Sequence, residues 1–139
     1  MIKMSRQVGD IGERAAEKYL KKRGWRIISN NFSSRSGEID LIGYRFGTLV
    51  YFEVKTRSNL AFGAARDAVD DTKILKIKRT AKTFLQMYGK NGCIPVFYPF
   101  GIQKYRFVHR ERIDVIEIYI SRDFEVREIN HIKDWGNRL

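Results

Sequence analysis

An α/β or α+β domain, with helices flanking a β-hairpin core, is the fold class the sequence predicts, and three patterns predict it. Apolar residues recur at helical spacing over 5–23 and 71–88. Residues 38–44 (EIDLIGY) and 48–57 (TLVYFEVKTR) alternate in character on either side of Phe46-Gly47, as the arms of a hairpin do. The stretch 93–132 is rich in β-branched and aromatic residues, which favours strands. A chain of 139 residues has the length of one domain with a single core, so one domain over 1–139 is expected.

The first helix carries Val8, Ile11, Gly12, Ala15, Ala16, Tyr19 and Leu20 on its apolar stripe. Lys21, Lys22 and Arg23 fall in its last turn, where cations suit the helix dipole, and Gly24 is placed to cap it. A short strand, Trp25 to Asn30, and a loop from Asn30 to Gly37 carrying Arg35 are expected next. Residues 58–70 read as a loop containing the small-residue stretch NLAFGAARDAV. The second helix turns Ile74, Ile77, Ala81, Phe84, Leu85 and Tyr88 inward and Lys73, Lys76, Lys78, Arg79 and Lys82 outward, and Gly89 and Gly92 end it. The clearest later strand is Ile113 to Ile120, followed by Phe124 to His131. Repeats, low-complexity segments and linkers are absent from the sequence.

At 43% hydrophobic and 13% aromatic residues, the composition is that of a folded domain rather than a disordered chain. Lys and Arg number 27 against 16 Asp and Glu, a formal charge of +11. That excess favours polyanions, nucleic acid first; a generally basic protein or one that touches acidic lipid is the plainer reading. With Cys93 alone, neither an intramolecular disulfide nor a cysteine-based zinc site can form. His109 and His131 are not spaced as a metal pair, and Walker, dinucleotide and zinc motifs are missing. The N-terminal segment has no apolar signal core, and no apolar run approaches the roughly 20 residues of a membrane helix. A soluble, cytoplasmic protein is expected.

Chemistry concentrates on the hairpin. A two-residue turn at Phe46-Gly47 pairs Arg45 with Thr48, and so sets Asp40 opposite Glu53 and Glu38 opposite Lys55. Side chains alternate along strands, so these four project to one side. Ile39, Leu41, Val50, Phe52 and Val54 then form the apolar side that would go to the core. Directly opposed carboxylates repel, and a cation between them relieves the repulsion. Hard oxygens a few ångströms apart are what Mg2+ uses, with water and phosphate oxygens completing its shell. Lys55 could place or deprotonate a water there, or hold developing phosphoryl charge. A surface salt-bridge ladder, with Glu38–Lys55 as one rung and Arg57 nearby, fits the geometry equally well.

GEIDLI at 37–42 followed by YFEVKTR at 51–57 resembles the PD-(D/E)xK nuclease signature. Together with GDIGERAAEKYLKKRGW at 9–25, NNFSSRSGEIDLI at 30–42 and RIDVIEI at 112–118, it is most similar to the YraN-like family. These are small bacterial proteins of uncharacterised role regarded as endonucleases, near the Holliday junction resolvases. The likeness is dense from about residue 8 to 85 and patchier after 90. A lone D…ExK is weak, whereas these segments in this order are specific. The resemblance implies a restriction-endonuclease-like fold, a central mixed β-sheet flanked by helices. It implies Asp40 and Glu53 as ligands of Mg2+ or Mn2+, with the Val54 carbonyl as a further candidate. It implies Lys55 as the motif lysine and Glu13 as the helix glutamate completing the catalytic and metal-binding acids. Glu13 borders the apolar stripe beside Gly9, Gly12 and Ala16, small residues that let a sheet edge approach. The alternative for Glu13 is an ordinary solvated residue, though its neighbour four positions on, Glu17, offers no basic partner. Two departures stand out: Ile39 replaces the literal proline, and 93–110 (CIPVFYPFGIQKYRFVHR) is longer and more aromatic than the family pattern.

Arg35 and Arg57 would sit at the rim of such a site and hold phosphates, or serve as solvated or ion-paired surface arginines. Lys73, on the basic face of the second helix, would track a nucleic-acid backbone, or be solvated. For Phe97, Tyr98, Tyr105 and Phe107, core or dimer packing is expected ahead of base stacking. Asp114, between Ile113 and Val115, reads as a buried or paired structural carboxylate. The function expected is Mg2+-dependent hydrolysis of phosphodiester bonds in DNA, in branched or repair intermediates. The alternative is a non-catalytic nucleic-acid-binding module of the same fold acting with a repair or recombination partner. RNA is a weaker option as substrate, and resolvase-like relatives suggest a homodimer.

Overall fold

The computed structural model describes residues 2–58 and 70–138. Helix α1 (Ile2–Lys22) leads into three strands, β1 (Arg26–Ser34), β2 (Gly37–Arg45) and β3 (Thr48–Ser58). Helix α2 (Asp71–Tyr88) is followed by β4 (Cys93–Tyr98), β5 (Ile102–Phe107), β6 (Arg110–Ile120) and β7 (Val126–Ile132). The central sheet has the order β1-β2-β3-β6-β7, and β4-β5 form a separate two-stranded sheet. β3 and β6 run parallel while the other neighbours in the central sheet are antiparallel. A mixed sheet with two helices makes the class α/β. A parallel pair needs a long crossover between its strands, and α2 lies on that crossover.

Each helix covers one face of the sheet. Ala16 and Leu20 of α1 pack against Leu41, Val50, Phe52, Ile116 and Ile118. Ile74, Ile77, Ala81 and Phe84 of α2 pack against Phe32, Ile39, Ile42, Leu49 and Tyr51. The first half of β3 is therefore apolar on both faces, as a strand between two helical layers must be. Alternation predicted a single apolar face; only the second half of β3 carries polar residues on the α2 side. Among the described residues no helix is long and apolar enough to cross a membrane.

The ends of the elements follow from local chemistry. Gly24, at φ +86°, closes α1: its N–H donates to the Lys21 carbonyl and that of Trp25 to the Leu20 carbonyl, both at 3.1 Å. This is the left-handed glycine cap the sequence predicted. Asp70 caps α2 by accepting the Lys73 N–H at 2.9 Å. Phe46 and Gly47 both have positive φ, 47° and 80°, which suits the tight turn of a hairpin. The predicted register follows, Arg45 facing Thr48 and Leu41 facing Phe52. A Cβ at Gly12 would lie 2.0 Å from Thr56 Oγ1, so glycine there lets α1 close on β3.

Three expectations change. Residues 30–34, expected in a loop, continue β1 to Ser34 and pair with β2; Phe32 supplies a core anchor, and the polar residues around it are tolerated on an edge strand. The segment 93–110 is a hairpin with its own sheet, not part of the central one. The small-residue stretch at 59–69 lies outside the described residues.

Candidate active site

The β2–β3 ladder stops at Leu41 and Phe52. One step on, where Asp40 was expected to face Glu53, Asp40 Oδ2 accepts the Val54 N–H at 2.8 Å. On the other side of β2, the register passes from Asn30–Leu41 to Phe32–Ile39 across Asn31, whose φ is +55°. Asn tolerates that left-handed conformation better than most residues. The distortion breaks the alternation of β2. Ile39 and Ile42 enter the α2-side core, whereas Leu41 between them enters the α1-side core. Ile39 thus does not share a face with Leu41, as expected. A carboxylate has replaced a stretch of backbone pairing, and the strand ends open around it.

Glu53 lies in this opening, only 5% exposed. Its Oε1 is 3.3 Å from Lys73 Nζ and 3.9 Å from Lys55 Nζ. Burial and then the Asp40 charge push the Glu53 carboxyl up to about 7, against the pull of the two lysines. Burial also raises Asp40, partly offset by the Val54 N–H, Lys73 and Lys55. Glu13, on the α1 side of the opening, is raised by its own burial and then by Asp40, and it shares a side-chain hydrogen bond with Asn31. Glu38 is exposed and adds negative charge near both Asp40 and Glu13.

The structure thus brings Asp40, Glu53, Lys55 and Glu13 into one electrostatic cluster. Glu38 does not form the expected rung with Lys55; among the described residues Lys55 is within ion-pair distance of Glu53 instead. Lys73, expected on a solvated helix face, enters the cluster because the first turn of α2 sits over β3. Asn31 was read as a loop residue and is the partner that sequence reasoning missed; an Asn doublet at a strand distortion is the signal that was available. Arg57 is paired with Glu117 of β6 at 3.2 Å. Arg35 is exposed in the β1–β2 turn, whose Gly37 lies over Lys76 and Thr80 of α2.

Among the described residues no three Asp, Glu, His or Cys side chains gather as a ready-made metal cage. Mg2+ does not require one: it takes one or two carboxylates and completes its octahedron with water and substrate phosphate. Asp40 and Glu53 are hard-oxygen donors whose burial and mutual repulsion disfavour their charged forms, and a divalent cation relieves both costs. The donor set fits such an ion.

A mixed five-stranded sheet between two helices, opened at one strand pair around an acidic, lysine-flanked cluster, defines an α/β protein with a built polar site. Comparison with known proteins places it more closely. The chain belongs to the uncharacterised protein family UPF0102, whose model matches residues 12–118 and so contains the whole cluster. It is 37% identical over 129 residues to a UPF0102 protein of Caldicellulosiruptor saccharolyticus, covering 93% of this chain and 96% of that one. With the UPF0102 protein of Caldicellulosiruptor bescii the identity is 39% over the same shares of each chain. With that of Clostridium botulinum it is 34% over 134 residues, 96% and 97% of the two chains.

Proposed function

We propose that this protein is a metal-dependent endonuclease of restriction-endonuclease-like fold, acting in the cytoplasm on phosphodiester bonds of DNA in branched or repair intermediates. One observation carries the reading: Asp40 and Glu53 are buried together where backbone pairing gives way, both pushed toward protonation, with two lysines against one Glu53 oxygen. Buried acids held in an unfavourable charge state are a mark of functional sites.

Asp40 and Glu53 would hold Mg2+ or Mn2+, with Glu13 adding negative charge from α1. The bound ion supplies Lewis-acid polarisation of the scissile phosphate and lowers the pKa of an attacking water. The Val54 N–H fixes the orientation of the Asp40 carboxylate. Lys55, more enclosed than Lys73, is placed to orient the nucleophilic water or hold charge on the phosphoryl oxygens. Lys73 is 43% exposed and can meet an incoming phosphate. Arg57, held by Glu117, sets the position of positive charge further along β3. The +11 charge of the chain supplies sequence-independent affinity for the polyanion.

The Lys73–Glu53 contact favours a second reading, in which the ammonium takes the place of a divalent ion and the module binds nucleic acid without cutting it. Incubation of labelled DNA and RNA hairpins, forks and four-way junctions with and without Mg2+ separates the two. Endonuclease action predicts Mg2+-dependent cleavage of DNA that falls about 10²–10³-fold or more in Asp40→Ala, Glu53→Ala and Lys55→Ala, with binding retained. Cleavage that survives Glu53→Ala sinks the assignment, and salt-dependent binding with no cleavage of any substrate selects the second reading.

A further inference from the structure

We propose that the β4–β5 hairpin is a second nucleic-acid contact, a platform on which the bases of an unpaired strand stack. The proposal rests on nucleic acid being the ligand, as in the preceding reading, but not on hydrolysis. β4 and β5 pair with each other and not with the central sheet, and all of β5 is exposed. Their register sets Cys93 opposite Phe107, Pro95 opposite Tyr105 and Phe97 opposite Gln103. Phe97, Tyr105 and Phe107 therefore share one face of the hairpin, while Ile94 and Val96 on the other face are buried in the α2-side core.

The three rings on that face are 50%, 51% and 51% exposed. Core packing, expected for them from composition, does not use that half of each ring. At the tip, Phe100 is fully exposed at φ +65°, a left-handed conformation that is strained for a bulky side chain. An exposed ring held at that cost has no role in the fold.

Charge decides what the rings meet. Lys104 and Arg106 alternate with Tyr105 and Phe107 along β5, and the guanidinium groups of Arg106 and Arg26 lie 5.4 and 4.9 Å from the Tyr98 ring centre. A second copy of the chain would bring these cations, and another +11, against themselves. Nucleic acid brings phosphates to the cations and flat bases to the rings. Aromatic residues two apart on a strand stand about 7 Å apart, and sheet surfaces of this kind hold successive unstacked bases. Duplex bases are stacked on one another and offer no face to them, so the occupant is a single strand.

The platform lies at the far end of β3 from the acidic cluster. The His109 N–H donates to the Gly47 carbonyl at 2.8 Å and the Tyr44 hydroxyl to the Phe107 carbonyl at 3.0 Å, which ties the hairpin base to the β2–β3 turn. From Thr48 to Glu53 the strand advances about 17 Å, a span of a few nucleotides. One molecule bearing both an unpaired strand and a cleavable junction would reach both places.

The test measures binding of the full chain at low salt to a fluorescein-labelled oligothymidylate of about twenty nucleotides and to an abasic strand of equal length. Wild type should prefer the oligothymidylate, and each ring lost should cost about five- to a hundredfold. Tyr105→Ala/Phe107→Ala should bind both strands alike, with abasic binding within about twofold of wild type, and Tyr105→Trp/Phe107→Trp should restore the preference. Circular dichroism checks that each variant is folded. A preference unchanged in the alanine variant, or a wild type that binds both strands equally, overturns the platform alone. Failure of wild type to bind either strand overturns nucleic acid as ligand as well. A wild-type dimer in sedimentation equilibrium that the alanine variant converts to monomer assigns the face to self-association instead. Base preference without any cleavage upholds the platform while the nuclease reading fails.

Discussion

Asp114 and Glu53 are buried acids on adjacent strands, Asp114 level with Phe52 in the β3–β6 register and Glu53 one residue further on. They face opposite sides of the sheet, and the protein treats them in opposite ways. Asp114, with no exposed surface, receives Arg112 Nε at 2.8 Å, Arg112 Nη2 at 2.9 Å and the Asp134 N–H at 2.9 Å. His131 Nε2 lies 2.7 Å from its Oδ2. Burial pushes its carboxyl up, but His131, Arg112 and the Asp134 N–H more than offset that and hold it below the ordinary value. Glu53 has two lysines on a single oxygen and Asp40 as a neighbour, and it is left near 7. A buried charge whose acceptor sites are filled is part of the architecture. One left under-satisfied beside a like charge is poised for something that is not part of the chain.

Breaking that contrast should give unequal results. Asp114→Ala strands Arg112 without its buried partner, and urea denaturation should show a loss of about 3–5 kcal/mol. Glu53→Gln removes a charge the fold disfavours, so at pH 8 without divalent ions it should stabilise the protein by about 1–3 kcal/mol, since a tenfold change in proton affinity is worth about 1.4 kcal/mol. Equal destabilisation by both substitutions would erase the distinction.

The pH dependences should have opposite signs. The Glu53 carboxyl is raised from 4.5 to about 7, so its cost to stability appears as pH rises through that window. The advantage of Glu53→Gln over wild type should therefore be absent near pH 4.5 and complete above pH 7. Asp114 is held below its model value of 3.8, so its contribution is present above that pH and is lost as pH falls below it. The gap between wild type and Asp114→Asn should shrink only in strong acid. A smaller effect sharpens the comparison further: Mg2+ at ten times its Kd should stabilise wild type by about 1.4 kcal/mol, read as a rise in Tm, and this rise should vanish in Glu53→Ala while persisting in a folded Asp114→Asn.

Much of the site was legible before folding was considered. The turn at Phe46-Gly47 predicts the register that the ladder shows, and Asp40 and Glu53 do meet at its end. α2 has the predicted bounds, Gly24 caps α1, Gly12 admits β3, and Asp114 is a paired structural acid. These are properties of turn chemistry and side-chain period, which act between residues close in sequence or joined by one tight turn. The outward shift of Ile39 was not legible, because it depends on Asp40 taking the Val54 N–H and on Asn31 bending the neighbouring strand. Nor was the exposure of Phe97, Tyr105 and Phe107, since apolar composition cannot say whether a hairpin joins a sheet or stands beside it.

Asp40 opposite Glu53, with Lys55 two residues on, is thus what the sequence by itself determined about this protein. The tertiary structure alone decided which charges surround that pair: α2 carries Lys73 over Glu53, α1 brings Glu13 beside Asp40, and β6 takes Arg57 into a pair with Glu117. Strand alternation sorts residues onto faces, but which cation or acid arrives across the gap is set by how helices pack on the sheet. That packing is governed by contacts between residues far apart in the chain, which no local period encodes.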